Sequence, residues 1–180
     1  MVDGELRIRT PADVLVNSAG DCTLDLTSPC LAGVFNSGSG DFQAAEACGV
    51  ELVHVSGSGD VRLGAVEAES FSVHISGSGD VNVDALETGG LDVHISGSGD
   101  LSLSGVGDHA EVHQSGSGDL HGEDLQVVTA EVAMSGSGDG ALAVSDAVEA
   151  SLSGSGSLHL YGSPTVDANT SGSGEVVLHD

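Results

Sequence analysis

The chain has 180 residues, with 28 Asp plus Glu against three Arg and no Lys, so its formal net charge is −25. Three scattered arginines cannot form the basic stripe that phosphate neutralisation needs, which excludes a nucleic-acid binder. The length suits one domain. With only Phe35, Phe42, Phe71 and Tyr161 aromatic, its core must be built from Val, Leu, Ile and Ala.

No apolar run approaches 18 residues, so no membrane span is expected in this chain. The opening Met1-Val2-Asp3-Gly4-Glu5 lacks the basic and apolar parts of a secretory leader. The acidity points first to a halophilic source, because molar salt shortens the screening length to roughly 3 Å and relieves self-repulsion. An acidic extracellular domain that recruits divalent cations is the alternative.

In chain order, residues 1–16 read as an N-terminal strand and first rung, and 17–180 as a repeat within the same single domain. The repeat begins with a degenerate copy, Asn17-Ser18-Ala19-Gly20-Asp21. Ser-Gly-Ser-Gly then starts at Ser37, Ser56, Ser76, Ser96, Ser115, Ser135, Ser153 and Ser171, in steps of 19, 20, 20, 19, 20, 18 and 18. Asp follows in six copies, at Asp41, Asp60, Asp80, Asp100, Asp119 and Asp139, while Ser157 and Glu175 replace it in the last two.

Before each motif the sequence alternates with period two, the signature of a half-buried strand. Three positions ahead of the first Ser stand Val34, Val53, Val73, Val93, Val112, Val132, Ala150 and Ala168. One position ahead stand Val55, Ile75, Ile95, Met134 and Leu152, a row that Asn36, Gln114 and Thr170 break. After the motif, Phe42, Val61, Val81, Leu101, Leu120, Leu158 and Val176 form a third inward row, and Ala44, Leu63, Val83, Leu103, Leu142, Leu160 and Leu178 a fourth. A shorter stack, Val66, Leu86, Val106 and Leu125, follows. Each copy therefore reads as strand, glycine turn, strand and a short acidic return loop, with the turn glycines supplying positive φ.

A unit of about 20 residues cannot bury its apolar face alone, so successive units must stack with equivalent strands in parallel. The expected fold is all-β: a right-handed parallel β-helix of about nine rungs, since parallel crossovers are nearly always right-handed. The glycines are followed by a strand rather than a helix, which argues against a phosphate cradle.

The string His-Ile-Ser-Gly-Ser-Gly-Asp-Val at 74–81, its near copies, the opening Asp3-Gly4-Glu5-Leu6-Arg7-Ile8 and the ending around Tyr161-Gly162-Ser163-Pro164 resemble the head GIN domain family of putative auto-transporter adhesins. The resemblance covers almost the whole chain. It implies a β-helical, exported bacterial or archaeal domain with a suggested role in adhesion and no established catalytic residues.

Stacking turns each repeated polar position into a column. Asp60, Asp80, Asp100 and Asp119 would stand about 4.8 Å apart. Either each fixes its own corner by accepting backbone N–H bonds, the favoured reading, or the column binds calcium with serine hydroxyls and turn carbonyls. His54, His74, His94 and His113 form a second column, two residues before successive turns. It reads first as a solvated stacking ladder and second as a set of transition-metal ligands from adjacent rungs. Protonation of this column near pH 6 would also make association pH-dependent. His109, His121, His159 and His179 fall outside it and read as surface residues. Cys22 reads as a buried hydrophobe, and Cys30 and Cys48 as residues that meet across rungs, where a disulfide is conceivable.

Catalysis finds little support, because a unique centre is hard to build from a motif that recurs eight times, Arg62 is the only arginine within the repeats and Lys is absent. The expected function is a non-enzymatic β-helical surface scaffold or adhesin domain, exported to the cell surface or beyond, that contacts a cell-surface protein or glycan. No cofactor is required by the pattern, calcium being the one candidate. The alternatives are a cation-binding repeat module for calcium or a transition metal, and a carbohydrate-processing β-helix enzyme. Open strand edges at the ends, the first carrying Arg7 and Arg9, would permit an end-to-end homo-oligomer.

Overall fold

The computed structural model describes residues 6–9, 13–16, 31–47 and 49–179, the first two stretches as backbone only. The chain begins with a hairpin, β1 (Leu6–Arg9) antiparallel to β2 (Asp13–Val16). Every later pairing is parallel. Short strands β3 (Gly33–Asn36), β4 (Phe42–Glu46) and β5 (Leu52–Val55) lead into five long ones: β6 (Val61–Ile75), β7 (Val81–Ile95), β8 (Leu101–Gln114), β9 (Leu120–Met134) and β10 (Gly140–Leu152). Three further short strands close the described chain, β11 (Leu158–Tyr161), β12 (Thr165–Thr170) and β13 (Val176–His179). The result is a parallel β-solenoid of about eight turns, close to the nine expected. The degenerate copy at 17–21 and all three cysteines lie outside the described residues.

Equivalent letters do become neighbours. Val73 pairs with Val93, which pairs with Val112 and then Val132, and these residues are buried. The core is a stack of such rows, and it includes one the alternation left unread: Phe71, Leu91, Ala110, Ala130 and Val148, five positions before each motif. Each long strand runs continuously from one Ser-Gly-Ser-Gly corner to the next. The expected return loop is therefore itself part of the ladder, because the backbone N–H and C=O groups on that side also need partners and the neighbouring rungs supply them.

The corners are laddered too: Ser78 N donates to Gly57 O at 2.9 Å and Ser98 N to Gly77 O at 3.0 Å. Their glycines are not in the positive-φ region, which among the described residues holds only Gly49, Gly105 and Gly162. The requirement is close approach. A Cβ on Gly97 would sit 2.0 Å from the Gly77 carbonyl oxygen, and one on Gly99 2.2 Å from that of Gly79.

Several inward assignments change. Val106 is 53% exposed because Gly105, at φ 135°, takes the slot between Leu86 and Leu125 and turns the next side chain outward. Asn36 and Gln114 do not break their row; both are buried. Asn36 Nδ2 donates to the carbonyls of Gly40 (2.9 Å) and Gly59 (3.0 Å), and Gln114 Nε2 to that of Gly118 (2.6 Å). Each amide nitrogen is thus satisfied by the corner backbone beneath which it lies, while Gln114 Oε1 is enclosed with no hydrogen-bond partner among the described residues. Ala168, Thr170 and Leu178 are exposed, since no further rung covers them among the described residues.

Candidate functional site

Residues two and four positions before each corner alternate with the buried rows, so they share one outward face of the solenoid. The position two before the corner carries His54, His74, His94 and His113 on successive rungs, paired in that order across the ladder. The position four before it carries Ser72, Asp92, Glu111, Glu131, Glu149 and Asp167, also paired in order. Histidines therefore occupy the N-terminal half of the face and carboxylates the C-terminal half, with both present on the rungs of His94 and His113.

The imidazoles tighten along the column. The ring centroids of His54 and His74 lie 6.1 Å apart and tilted, while those of His74 and His94, and of His94 and His113, stack at 4.8 and 4.9 Å. Phe35 continues the column at 6.2 Å from His54. The stacking expected of the column is present from His74 through His94 to His113, and not between His54 and His74.

Carboxylates come within reach of the imidazoles. His94 Nε2 lies 3.0 Å from Asp92 Oδ1, and His113 Nε2 lies 3.0 Å from Glu111 Oε1. Ser72 Oγ sits 3.0 Å from His74 Nε2 and donates to Asp92 Oδ2 at 3.4 Å. His74 titrates below the ordinary histidine range, chiefly because burial penalises its charged form and next because His94 repels that charge; Asp92 opposes the shift and His54 adds to it. Among the described residues, His74, Asp92 and His94 form the one group of three whose ligand atoms all fall within 4.8 Å of one another. Reasoning from sequence singled out the two histidines but not Asp92, which the in-register pairing of Ser72 with Asp92 brings beside them.

The aspartate column lies at the corners. Each Oδ1 accepts the backbone N–H of the equivalent residue on the next rung: Asp60 N to Asp41 at 3.0 Å, Asp80 N to Asp60 at 3.1 Å, Asp100 N to Asp80 at 2.9 Å, and Asp119 N to Asp100 at 2.8 Å. The ladder continues through Asp139 N to Asp119 at 2.8 Å and Ser157 N to Asp139 at 2.7 Å. The carboxylates do accept backbone N–H bonds, but they fasten the following corner rather than their own. Asp60 also pairs with Arg62 through Oδ2 at 3.0 Å.

The remaining histidines differ from one another. His121 is exposed, but His109 is half-buried, with Nδ1 2.9 Å from Thr129 Oγ1. His159 and His179 are half-buried and touch, Nδ1 to Nε2 at 2.9 Å, with Tyr161 stacked on His179 at 4.6 Å. Stacking of the last rungs joins three side chains that the repeat did not mark as a group.

The family model for "Putative auto-transporter adhesin, head GIN domain" matches residues 1–164. The chain belongs to this family. Solved structures share its fold. A putative adhesin from Bacteroides fragilis is 26% identical with a TM-score of 0.69, over 72% of this chain and 61% of that one. A putative lipid binding protein from Parabacteroides distasonis is 25% identical with a TM-score of 0.74, over 85% and 63%. A putative adhesin from Parabacteroides merdae, at 18% identity and TM-score 0.59 over 73% and 64%, is similar in fold alone. This adhesin-family chain thus spans less than two thirds of the length of each of these structures. No curated protein matches it. None of the matched descriptions is of an enzyme, and no helix among the described residues is long and apolar enough to cross a membrane.

Proposed function

We propose that the chain is a non-catalytic contact domain of an exported surface protein, and that it binds a cell-surface protein or glycan through the face bearing the histidine and carboxylate columns. The supporting observation is the unbroken register of Glu111, Glu131, Glu149 and Asp167, which flank a shallow groove on one side of a rigid stack. Such a lattice repeats one polar contact at every rung, about 4.8 Å apart, and an extended or multivalent partner can engage several rungs at once. Effective concentration then converts weak individual contacts into avidity.

The net charge of −25 without lysine supports a setting of high ionic strength or divalent cations, where self-repulsion within the rod is screened. Binding of the labelled chain to whole cells and to a glycan array tests the proposal. Conversion of Glu111, Glu131 and Glu149 to Gln and Asp167 to Asn together is expected to lower binding at least tenfold while leaving the circular dichroism spectrum unchanged. Full binding by that variant would move the contact to another face.

A further inference from the structure

The histidine column and the carboxylate column overlap where Asp92 stands beside His74 and His94, and the chemistry there differs from that of either column alone. Two imidazoles and a carboxylate each offer one ligand atom, and these atoms lie within 4.8 Å of one another. Zinc at about 2.0–2.1 Å from each of three ligands would set them roughly 3.3 Å apart. Side-chain rotation of about an ångström closes that difference, and His94 and Asp92, with side chains 42% and 46% exposed, have room for it.

A second observation concerns Asp92 Oδ1. This oxygen is closed off from solvent, yet no donor among the described residues is aligned with it, despite the 3.0 Å separation from His94 Nε2. An enclosed carboxylate oxygen without a hydrogen-bond partner carries a desolvation cost, and a cation at the nitrogen edges of the two imidazoles would offset it. Meanwhile Oδ2 is engaged by the Ser72 hydroxyl, which also contacts His74 Nε2. Ser72 therefore acts as a positioning residue that orients both the carboxylate and one imidazole.

The backbone contributes the rest of the preorganisation. His74 and His94 are direct ladder partners on β6 and β7, and Asp92 lies on the same outward face of β7 two residues before His94. The three side chains thus issue from two hydrogen-bonded strands whose register is locked by the buried rows between them.

We propose that His74, Asp92 and His94 form a site for one divalent transition-metal ion of the zinc or copper class, with the fourth position open to water or to a group from a binding partner. Two imidazoles favour these metals over calcium, which takes six to eight oxygens. The open position gives the site a use on a surface-contact domain: a partner carboxylate or imidazole could complete the coordination shell.

Isothermal titration of the full chain with zinc chloride in the presence of millimolar calcium tests the assignment, with copper(II) electron paramagnetic resonance as a second readout. One zinc ion per chain is expected to bind despite the calcium. Affinity should fall at least tenfold in each of His74→Gln, His94→Gln and Asp92→Asn, and should be unchanged in the exposed control His121→Gln. Copper hyperfine structure should show two imidazole nitrogens in the parent chain and one in His94→Gln. Several equivalent weak sites, zinc displaced by calcium, or unchanged affinity in His74→Gln would each overturn the proposal. All three ligands face outward, so the variants are expected to keep the parent's unfolding midpoint in urea. A variant that did not would be replaced by His74→Asn or His94→Asn, judged by the same criteria.

Discussion

The Ser-Gly-Ser-Gly-Asp corner and the return side of each turn face the same stacking problem and solve it differently. At the corners the ladder passes from rung to rung without a register shift, and the glycines lie so close to the carbonyls of the preceding rung that no side chain fits. The return side carries every irregularity found among the long strands, between Val83 and Leu86, Ser102 and Ser104, Leu142 and Ala143, and Val144 and Ala147. Repeat lengths that vary from 18 to 20 residues are absorbed there. The lesson is that a solenoid needs only one strictly defined edge per rung. A bulge elsewhere costs a local bond or two, whereas a displaced corner would unstack two rungs.

Six substitutions sharpen this contrast, each read as a change in urea unfolding midpoint at constant salt. The largest effect is expected for Gly97→Ala, whose Cβ would lie 2.0 Å from the Gly77 carbonyl oxygen; overpacking against backbone should cost roughly 3 kcal/mol or more. A loss under about 1 kcal/mol would mean the corners have slack and the contrast fails. Next, Leu86→Ala removes a fully buried residue of the return side and should cost about 2–5 kcal/mol, while Val106→Ala, from the exposed member of the same sequence row, should stay within about 0.5 kcal/mol. Equal losses would place Val106 inside.

Smaller still, Asp100→Ala deletes the acceptor of the Asp119 N–H and should cost about 1 kcal/mol. Asp100→Asn keeps an acceptor oxygen and should recover most of that loss; identical behaviour of the two variants would show that charge, not the bond, matters at the corner. The only stabilising change is expected for Gly90→Ala on the return side. Nothing lies within 4 Å of the added methyl and the backbone is not at positive φ, so a gain of about 0.4–1 kcal/mol should follow from the restricted unfolded chain. A marked loss there would show that the return side is as demanding as the corner.

Much of this architecture was legible in the letters. A strict repeat with period-two alternation has one economical solution, stacked parallel rungs, and the valine rows, the histidine column and the aspartate column all follow from aligning the copies. The misreadings have separate physical causes. Counting residues places Val106 in the inward row, and counting fails wherever a register shift intervenes. Asn36 and Gln114 were judged by polarity, but the corner carbonyls beside them make the interior locally polar. The corner glycines were read as conformational hinges when the limit was the distance between neighbouring rungs.

The candidate site divides in the same way. His74 and His94 could be paired from the repeat alone, because equal positions on consecutive copies must meet. Asp92 joined them only through the fold: it belongs to another column, and its approach to both rings depends on which way each side chain leans along the face.

The sequence by itself determined that this chain is a stack, which rows line its interior and which polar residues are repeated outside, because those properties depend only on periodicity and on the need to bury apolar surface. Tertiary structure alone decided the direction in which each aspartate reaches, where the register slips, and which residues of different columns touch. These depend on sub-ångström to few-ångström differences in how one rung settles on the next, and a pattern of letters carries no such distances.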